Sequence, residues 1–124
     1  MTWNNDCRFI GNLTHPPHFQ RVGESLLPFL RLYVAVDDGK DRTAYVRVVA
    51  YGDLALLTYP YLQRGSKVLV QARYRQRRRR DNEELVHEFV AEQIVFLDKI
   101  DWERGDAVTR AIREARAAEG DGRG

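Results

Sequence analysis

Two side-chain chemistries recur at two-residue spacing along this chain, and they interleave. Arg31 and Tyr33 share one side of PFLRLYVAV (28–36). Tyr45, Arg47 and Tyr51 share one side of AYVRVVAYG (44–52). Lys67, Arg73, Arg75 and Arg77 share one side of SKVLVQARYRQR (66–77). That last run continues into QARYRQRRRR (71–80), with six arginines in ten residues and no acidic one. Guanidinium groups fork onto phosphate oxygens. Phenol rings stack on unpaired bases at about 1–3 kcal/mol per base, whatever the base, because every base has a flat face. The combination suits a single strand of nucleic acid. Tyrosine and arginine are also ordinary residues for the wet face of a sheet, so the reading rests on their joint placement on three successive strands. Arg78, Arg79 and Arg80 extend the basic strand into a turn. Charges of one sign this dense repel each other unless an anion sits among them, which reads as an arm that clamps a backbone.

The elements that must position these groups follow from the opposite faces. Leu30, Leu32, Val34 and Val36 alternate with the first set, Val46, Val48 and Ala50 with the second, and Val68, Val70, Ala72 and Tyr74 with the third. Period-two alternation predicts strands with an aliphatic inner face. CRFIGNL (7–13) predicts a strand before them, and THPPHFQRVGES (14–25), with two prolines and a glycine, a loop or irregular edge. DDGKDR (37–42) has hairpin composition. DLALLTYPYLQRG (53–65) breaks the rhythm: Leu54, Leu57 and Tyr61 recur at helical spacing, Asp53 can cap the start, Gly65 can end it, and Pro60 should kink or divide it. ELVHEFVAEQIVFL (84–97) predicts the last strand or strand pair, joined to its predecessor through RRRRDNE (77–83). Three strands, a short helix and two strands predict an all-β, five-stranded Greek-key OB-fold barrel, with the helix between strands 3 and 4. DAVTRAIREARAA (106–118) predicts a C-terminal amphipathic helix with Val108, Ala111, Ile112 and Ala115 on one stripe, Asp106 as cap and Gly120 as stop. Residues 1–97 therefore read as the barrel domain, and 98–124 as a helical extension with a short flexible end.

Length and composition narrow the classes. The chain has 124 residues, fitting one core, and 44% are hydrophobic, too many for a disordered chain. No apolar run approaches the roughly 20 residues of a membrane span, and the start lacks the pattern of a secretory signal. A single cysteine, Cys7, excludes an internal disulfide and fits a reduced, cytoplasmic setting; its alternation with Phe9 predicts a core position. The formal net charge is +2, but residues 1–80 carry 14 Lys/Arg against 6 Asp/Glu and residues 81–124 carry 6 against 12. That asymmetry predicts a polyanion partner for the first part. The basic residues are 17 arginines and 3 lysines; arginine-rich codon usage and the physical advantage of arginine on phosphate account for this bias equally well, whereas its clustering favours the second. Catalytic and metal chemistry find no support. His15 and His18 lack further ligands, His87 reads as a surface or packing residue, and Asp37 and Asp38 read as turn chemistry. No cofactor is expected.

The segment YVRVVAYGDLALLTYPYLQRGSKVLVQARYRQR (45–77) resembles the central stretch of the bacterial single-stranded DNA-binding protein (SSB) family. That family carries an aromatic-x-Arg-Val-Val-x-aromatic-Gly-x-Leu-Ala run, then Tyr-Leu-x-Lys/Arg-Gly-Ser-x-Val. The matching residues are Tyr45, Arg47, Val48, Val49, Tyr51, Gly52, Leu54 and Ala55, then Tyr61, Leu62, Arg64, Gly65, Ser66 and Val68. NDCRFIGNL (5–13) is similar to the family's first strand, and Pro17 to a proline shortly after it. The resemblance covers roughly residues 4–97. It implies an OB-fold that binds single-stranded DNA and assembles as a homotetramer, more rarely as a dimer of double domains. It places Tyr45 and Tyr51 at two base-stacking positions, with Arg47 the basic residue between them.

Three features depart from the pattern. DDGKDR is shorter than the family's hairpin and lacks its tryptophan. A second stacking tryptophan falls near Arg79, where arginine can both stack and hold phosphate. The chain ends AEGDGRG (118–124) instead of in a long Gly/Pro/Gln-rich tail with an acidic, phenylalanine-tipped end, so recruitment of partners by that route is not expected. The expectation is a non-enzymatic, sequence-tolerant single-stranded DNA-binding protein of replication, recombination or repair, cytoplasmic and nucleoid-associated. Its site comprises Arg31, Tyr33, Tyr45, Arg47, Tyr51, Arg73, Arg75, Arg77, Arg78, Arg79 and Arg80. An OB-fold assembly module of primosome or conjugation type, binding nucleic acid weakly, is the alternative. A small nuclease ranks third, for want of a carboxylate cluster beside the basic face.

Overall fold

The period-two runs fold as strands, and the break in the rhythm folds as a helix. In the computed structural model, which describes residues 4–121 with side chains through 118, the order is β1 (Cys7–Leu13), β2 (His18–Val22), β3 (Leu27–Asp37), β4 (Thr43–Tyr51), α1 (Gly52–Thr58), a 3-10 turn (Tyr59–Tyr61), β5 (Lys67–Arg78), β6 (Leu85–Phe96) and α2 (Trp102–Asp121). The strands form one sheet in the order β1-β5-β6-β4-β3-β2, and β1 also pairs with β3, so the sheet closes into a ring. β4 and β6 run parallel and every other pairing is antiparallel. This is the five-stranded OB-fold with one additional edge strand.

That edge strand is the first correction. Residues 18–22, expected within a loop or irregular edge, form β2, paired only to β3 with Phe19 opposite Leu30. The prolines lie just before it, where their missing N–H groups break no ladder bond. Phe19 stacks on Tyr59 with ring centroids 4.7 Å apart, which ties the edge to the 3-10 turn. The connecting helix consequently lies between the fourth and fifth strands of six.

Leu30, Leu32, Val34, Val48, Ala50, Val68, Val70 and Ala72 fill the ring's interior and are essentially inaccessible. Each large aliphatic side chain removed from water in this way contributes about 1.5–3 kcal/mol. Gly11 permits the closure. It pairs with Val36 on β3 and Val68 on β5, and a Cβ there would lie 2.1 Å from the Ala35 carbonyl oxygen. Cys7 is half-buried near the end of its strand rather than in the core.

Pro60 divides the helical segment as its chemistry requires, but Asp53 makes no cap bond, and α1 follows directly from Tyr51. Leu57, placed by spacing with Leu54 and Tyr61, is 67% exposed; Ala55, Thr58 and Pro60 are the buried residues instead. The C-terminal helix is also longer than predicted. It begins at Trp102, the Asp101 carboxylate accepts the Arg104 N–H at 3.1 Å, and the helix runs through Gly120. Asp106 serves a different purpose, accepting the Tyr61 hydroxyl at 2.8 Å. Gly105 is buried against Tyr61, where a Cβ would meet the ring at 2.1 Å. Trp102 packs on the same ring at 5.2 Å and remains mostly exposed. Among the described residues no helix is long and apolar enough to cross a membrane, and no group of three His, Cys, Asp or Glu could hold a metal ion. The chain's end, 122–124, lies outside the described residues.

Candidate nucleic-acid interface

Arg31, Tyr33, Tyr45, Arg47, Tyr51, Arg73, Arg75 and Arg77 stand on the outer side of the ring because each is one residue out of phase with the core, whereas Arg78 keeps the core's phase at the end of β5 and Arg79 and Arg80 lie beyond it. Register brings them together in pairs: Tyr33 lies opposite Arg47, and Arg31 opposite Val49. Tyr45 is 74% exposed and Tyr33 36%; Arg31, Arg47 and Tyr51 are half-buried. Their neighbours explain the partial burial. Val49 and Val90 adjoin in register and are buried although they face outward, and the long stems of flanking arginines cover apolar positions of this kind. Arg31 and Arg73 flank that valine pair in register.

Arg31, Arg47, Arg77, Arg79 and Arg80, with Asp81 and Val86, line one groove of about 470 Å³. The Nε atoms of Arg31 and Arg47 are buried and have no hydrogen-bond partner among the described residues. Arg31 also lies over the Tyr33 ring, 5.9 Å from its centroid, and His15 meets that ring edge-on at 5.4 Å. The hairpin holds its own shape through Arg79 N–H to the Glu84 carbonyl at 2.9 Å and Glu83 N–H to the Arg79 carbonyl at 3.0 Å.

Of the candidate arginines, Arg73, Arg75 and Arg78 do not line that groove. Arg73 faces a separate cleft beside Asn5, Asp6 and Gln71, with Glu92 4.0 Å away. Arg78 turns back to donate to the Glu83 carbonyl at 3.2 Å. Arg79 reaches Asp81 at 3.3 Å.

The residue that the sequence reading did not single out is Glu88. It sits on the outer side of β6, opposite Arg75, with only 2% of its surface exposed. Arg75 donates to Glu88 Oε2 from Nε at 3.0 Å and from its terminal nitrogen at 2.9 Å, and the same terminal nitrogen donates to the Tyr51 hydroxyl at 2.7 Å. Arg77 Nε donates to Glu88 Oε1 at 2.5 Å. Arg75 also covers the Tyr51 ring, 5.2 Å from its centroid. Burial alone would push the Glu88 carboxyl up; the bonds from Arg77 and Arg75 overcome this and hold it below the ordinary carboxylate range. Burial likewise works against the charge on Arg75, and Glu88 and Tyr51 outweigh it, so the guanidinium stays above its ordinary value. One carboxylate thus fixes two arginines and, through Arg75, one tyrosine into a single unit.

Comparison with known proteins places the chain in a family. The chain resembles a single-stranded DNA-binding protein of Onion yellows phytoplasma (strain OY-M), at 28% identity over 99 residues that cover 76% of this chain and 94% of the relative. Its fold is similar to the crystal structure of the SSB domain of a protein from Synechococcus sp., with a TM-score of 0.60 and 17% identity over 76% of this chain and 97% of that one. The model of the single-strand binding protein family matches residues 4–97. The chain belongs to that family, whose members are non-enzymatic proteins that bind single-stranded DNA.

Proposed function

We propose that the strand runs across the outer side of β3 and β4, over the arginine groove and against the β5–β6 hairpin. The observation that carries this reading is the convergence of Arg31, Arg47, Arg77, Arg79 and Arg80 on one groove, with two guanidinium Nε atoms left without partners among the described residues. Guanidinium groups gathered this closely repel one another unless an anion sits among them, and a phosphate supplies one. Tyr45, the most exposed aromatic ring at the site, offers its face to a base, with Tyr33 beside it on β3 and Tyr51 six residues further along β4. Phosphate contacts and stacking together give binding that tolerates any sequence.

The chain divides in this account into a DNA-binding domain, residues 1–97, and a helical extension, 98–124. It coats unpaired DNA in replication, recombination or repair, in the cytoplasm at the nucleoid, as a homotetramer or a dimer. Family membership supports the assembly, and mass in solution with and without a long oligonucleotide tests it.

Titration with a labelled homopolymer deoxyoligonucleotide across a salt series tests the interface. Affinity is expected to fall with salt, to exceed that for duplex, and to drop by about 1–3 kcal/mol in Tyr45→Ala. A slope near zero, together with unchanged affinity in Tyr45→Ala, removes both phosphate contact and stacking.

A further inference from the structure

A second surface lies at the other end of the ring. Between α1 and α2 runs a groove of about 180 Å³, floored by Leu57, Tyr61 and Ile112 and rimmed by Arg21, Arg113 and Arg116. A cavity of about 150 Å³ lined by aliphatic groups is large enough for benzene, so this one has room for a single phenyl or branched aliphatic side chain. Leu57 is 67% exposed although it belongs to a short helix packed on the ring. None of the three arginines forms an ion pair among the described residues. Arg113 and Arg116 are three residues apart on α2, so their like charges face the same side.

None of this groove's lining residues lines the arginine groove. β5 starts at Lys67, six residues after Tyr61, and runs 12 residues before it reaches the hairpin; of the residues proposed to meet DNA, Tyr51, just before α1, stands nearest. The groove is narrow, and its one aromatic ring, Tyr61, is already packed on Trp102, whereas unpaired bases stack on open aromatic faces.

We propose that this groove docks an acidic segment of a partner protein carrying one apolar anchor residue. The anchor fills the space between Leu57 and Ile112, and carboxylates flanking it meet Arg21, Arg113 and Arg116. Such a mode combines a small desolvated centre with a charged rim that steers encounter and rejects basic sequences. It needs no DNA, so the protein could be brought to a partner while its outer face is loaded.

The test uses the full-length protein and a fluorescein-labelled peptide of aspartates and glutamates around a single phenylalanine, read by anisotropy. Saturable binding is expected. Alanine in place of the phenylalanine, or Leu57→Asp in the protein, should weaken it at least about tenfold. The double variant Arg113→Glu/Arg116→Glu should also weaken it at least about tenfold. All of these protein variants should keep their affinity for a dT oligonucleotide and their mass in solution. Four results overturn the proposal: no peptide binding by the folded wild type; equal binding of the alanine peptide; displacement of the peptide by the oligonucleotide, which makes the groove part of the DNA path; or a change of mass in Leu57→Asp, which makes it a contact between copies of this chain.

Discussion

Glu88→Gln separates the structural role of the Arg75–Glu88–Arg77 unit from its role toward DNA. Both carboxylate oxygens accept, Oε2 from Arg75 and Oε1 from Arg77. Glutamine offers one acceptor and one NH2, so whichever way it turns, one arginine faces a donor. Hydrogen bonds to charged groups contribute about 1.5–3 kcal/mol. The arginine side chains are 32% and 48% exposed and regain water once released, so the net loss should be about 1–2 kcal/mol. For a chain of this size that lowers Tm by about 4–8 °C. The DNA side moves the opposite way. Glu88 offsets one of the two positive charges; without it, a phosphate about 5 Å away gains about 1 kcal/mol even at the dielectric of water. Oligonucleotide affinity should then rise about fivefold at low salt. Anisotropy between about 50 and about 200 mM salt should steepen by about 0.7 per released cation. Glu92→Gln is the control, since its contact with Arg73 is 4.0 Å long and half-exposed, and it should change little. A lower Tm with unchanged affinity and slope would refute the electrostatic argument: Arg75 and Arg77 would then hold the sheet together without touching phosphate.

The same carboxyl fixes the acid limit of the wild type. Its folded-state pKa is held below the ordinary 4.5, so the stability it adds is full above that value and is lost as pH falls through the lower folded-state one; thermal melts from neutral to acid pH should show a drop that Glu88→Gln lacks. Gly11→Ala forces a Cβ against the Ala35 carbonyl and should cost about 3 kcal/mol by denaturant titration, with faster amide exchange at the β1–β3 seam; unchanged stability would mean that the ring closes some other way. Tyr51→Phe removes the acceptor for Arg75 but keeps the ring, so stability should fall by about 1 kcal/mol while oligonucleotide affinity holds; if affinity falls as far as in Tyr51→Ala, the hydroxyl matters and stacking does not.

What the sequence disclosed and what it hid follow from the range of the interactions. Alternation in 28–36, 44–52 and 66–77 reports a local property, the pleat, and the inward faces it implies carry the core, with Val36, Val46 and Tyr74 half-buried at its margin and Val49 buried on the opposite face. Pro60 marks its break through a covalent constraint just as local. β2 was obscured because an edge strand buries little, and its two leading prolines and following glycine speak for a loop more loudly than five residues speak for a strand. The early start of α2 depends on Gly105 lying against Tyr61, 44 positions earlier in the chain, and a glycine inside a helix normally argues against one. Glu88 was the costliest omission. A charged residue inside an otherwise apolar strand looks like a simple solvent-facing position, and nothing local says that two arginines cover it. Its partnership was nevertheless encoded: once a hairpin is centred on Asp81 and Asn82, Arg75 must fall opposite Glu88.

That pairing changes how the charge of this protein should be counted. The sequence presents a basic first part and an acidic second part as though they had separate tasks. The fold instead sets β6 beside β5, so carboxylates of the second part sit against guanidinium groups of the first: Glu92 at Arg73, Glu88 at Arg75 and Arg77, and Asp81 at Arg79. Of the arginines at the interface, Arg31, Arg47, Arg78 and Arg80 have no carboxylate partner among the described residues. Phosphate must displace an internal anion to recruit the others, and the buried Glu88 gives up its bonds reluctantly. Each fully neutralised phosphate contributes about 0.7 to the logarithmic salt dependence on single strands. Arg78 lies apart from the groove and bonds the Glu83 carbonyl, so the other three, Arg31, Arg47 and Arg80, predict a slope of about −2 per subunit, whereas all eight would give nearly −6. A measured slope close to the steeper value, on an oligonucleotide that one subunit covers, would mean that DNA strips the carboxylates away and that the hairpin opens on binding. The shallower value places Glu88 inside the loaded complex, still holding both of its arginines.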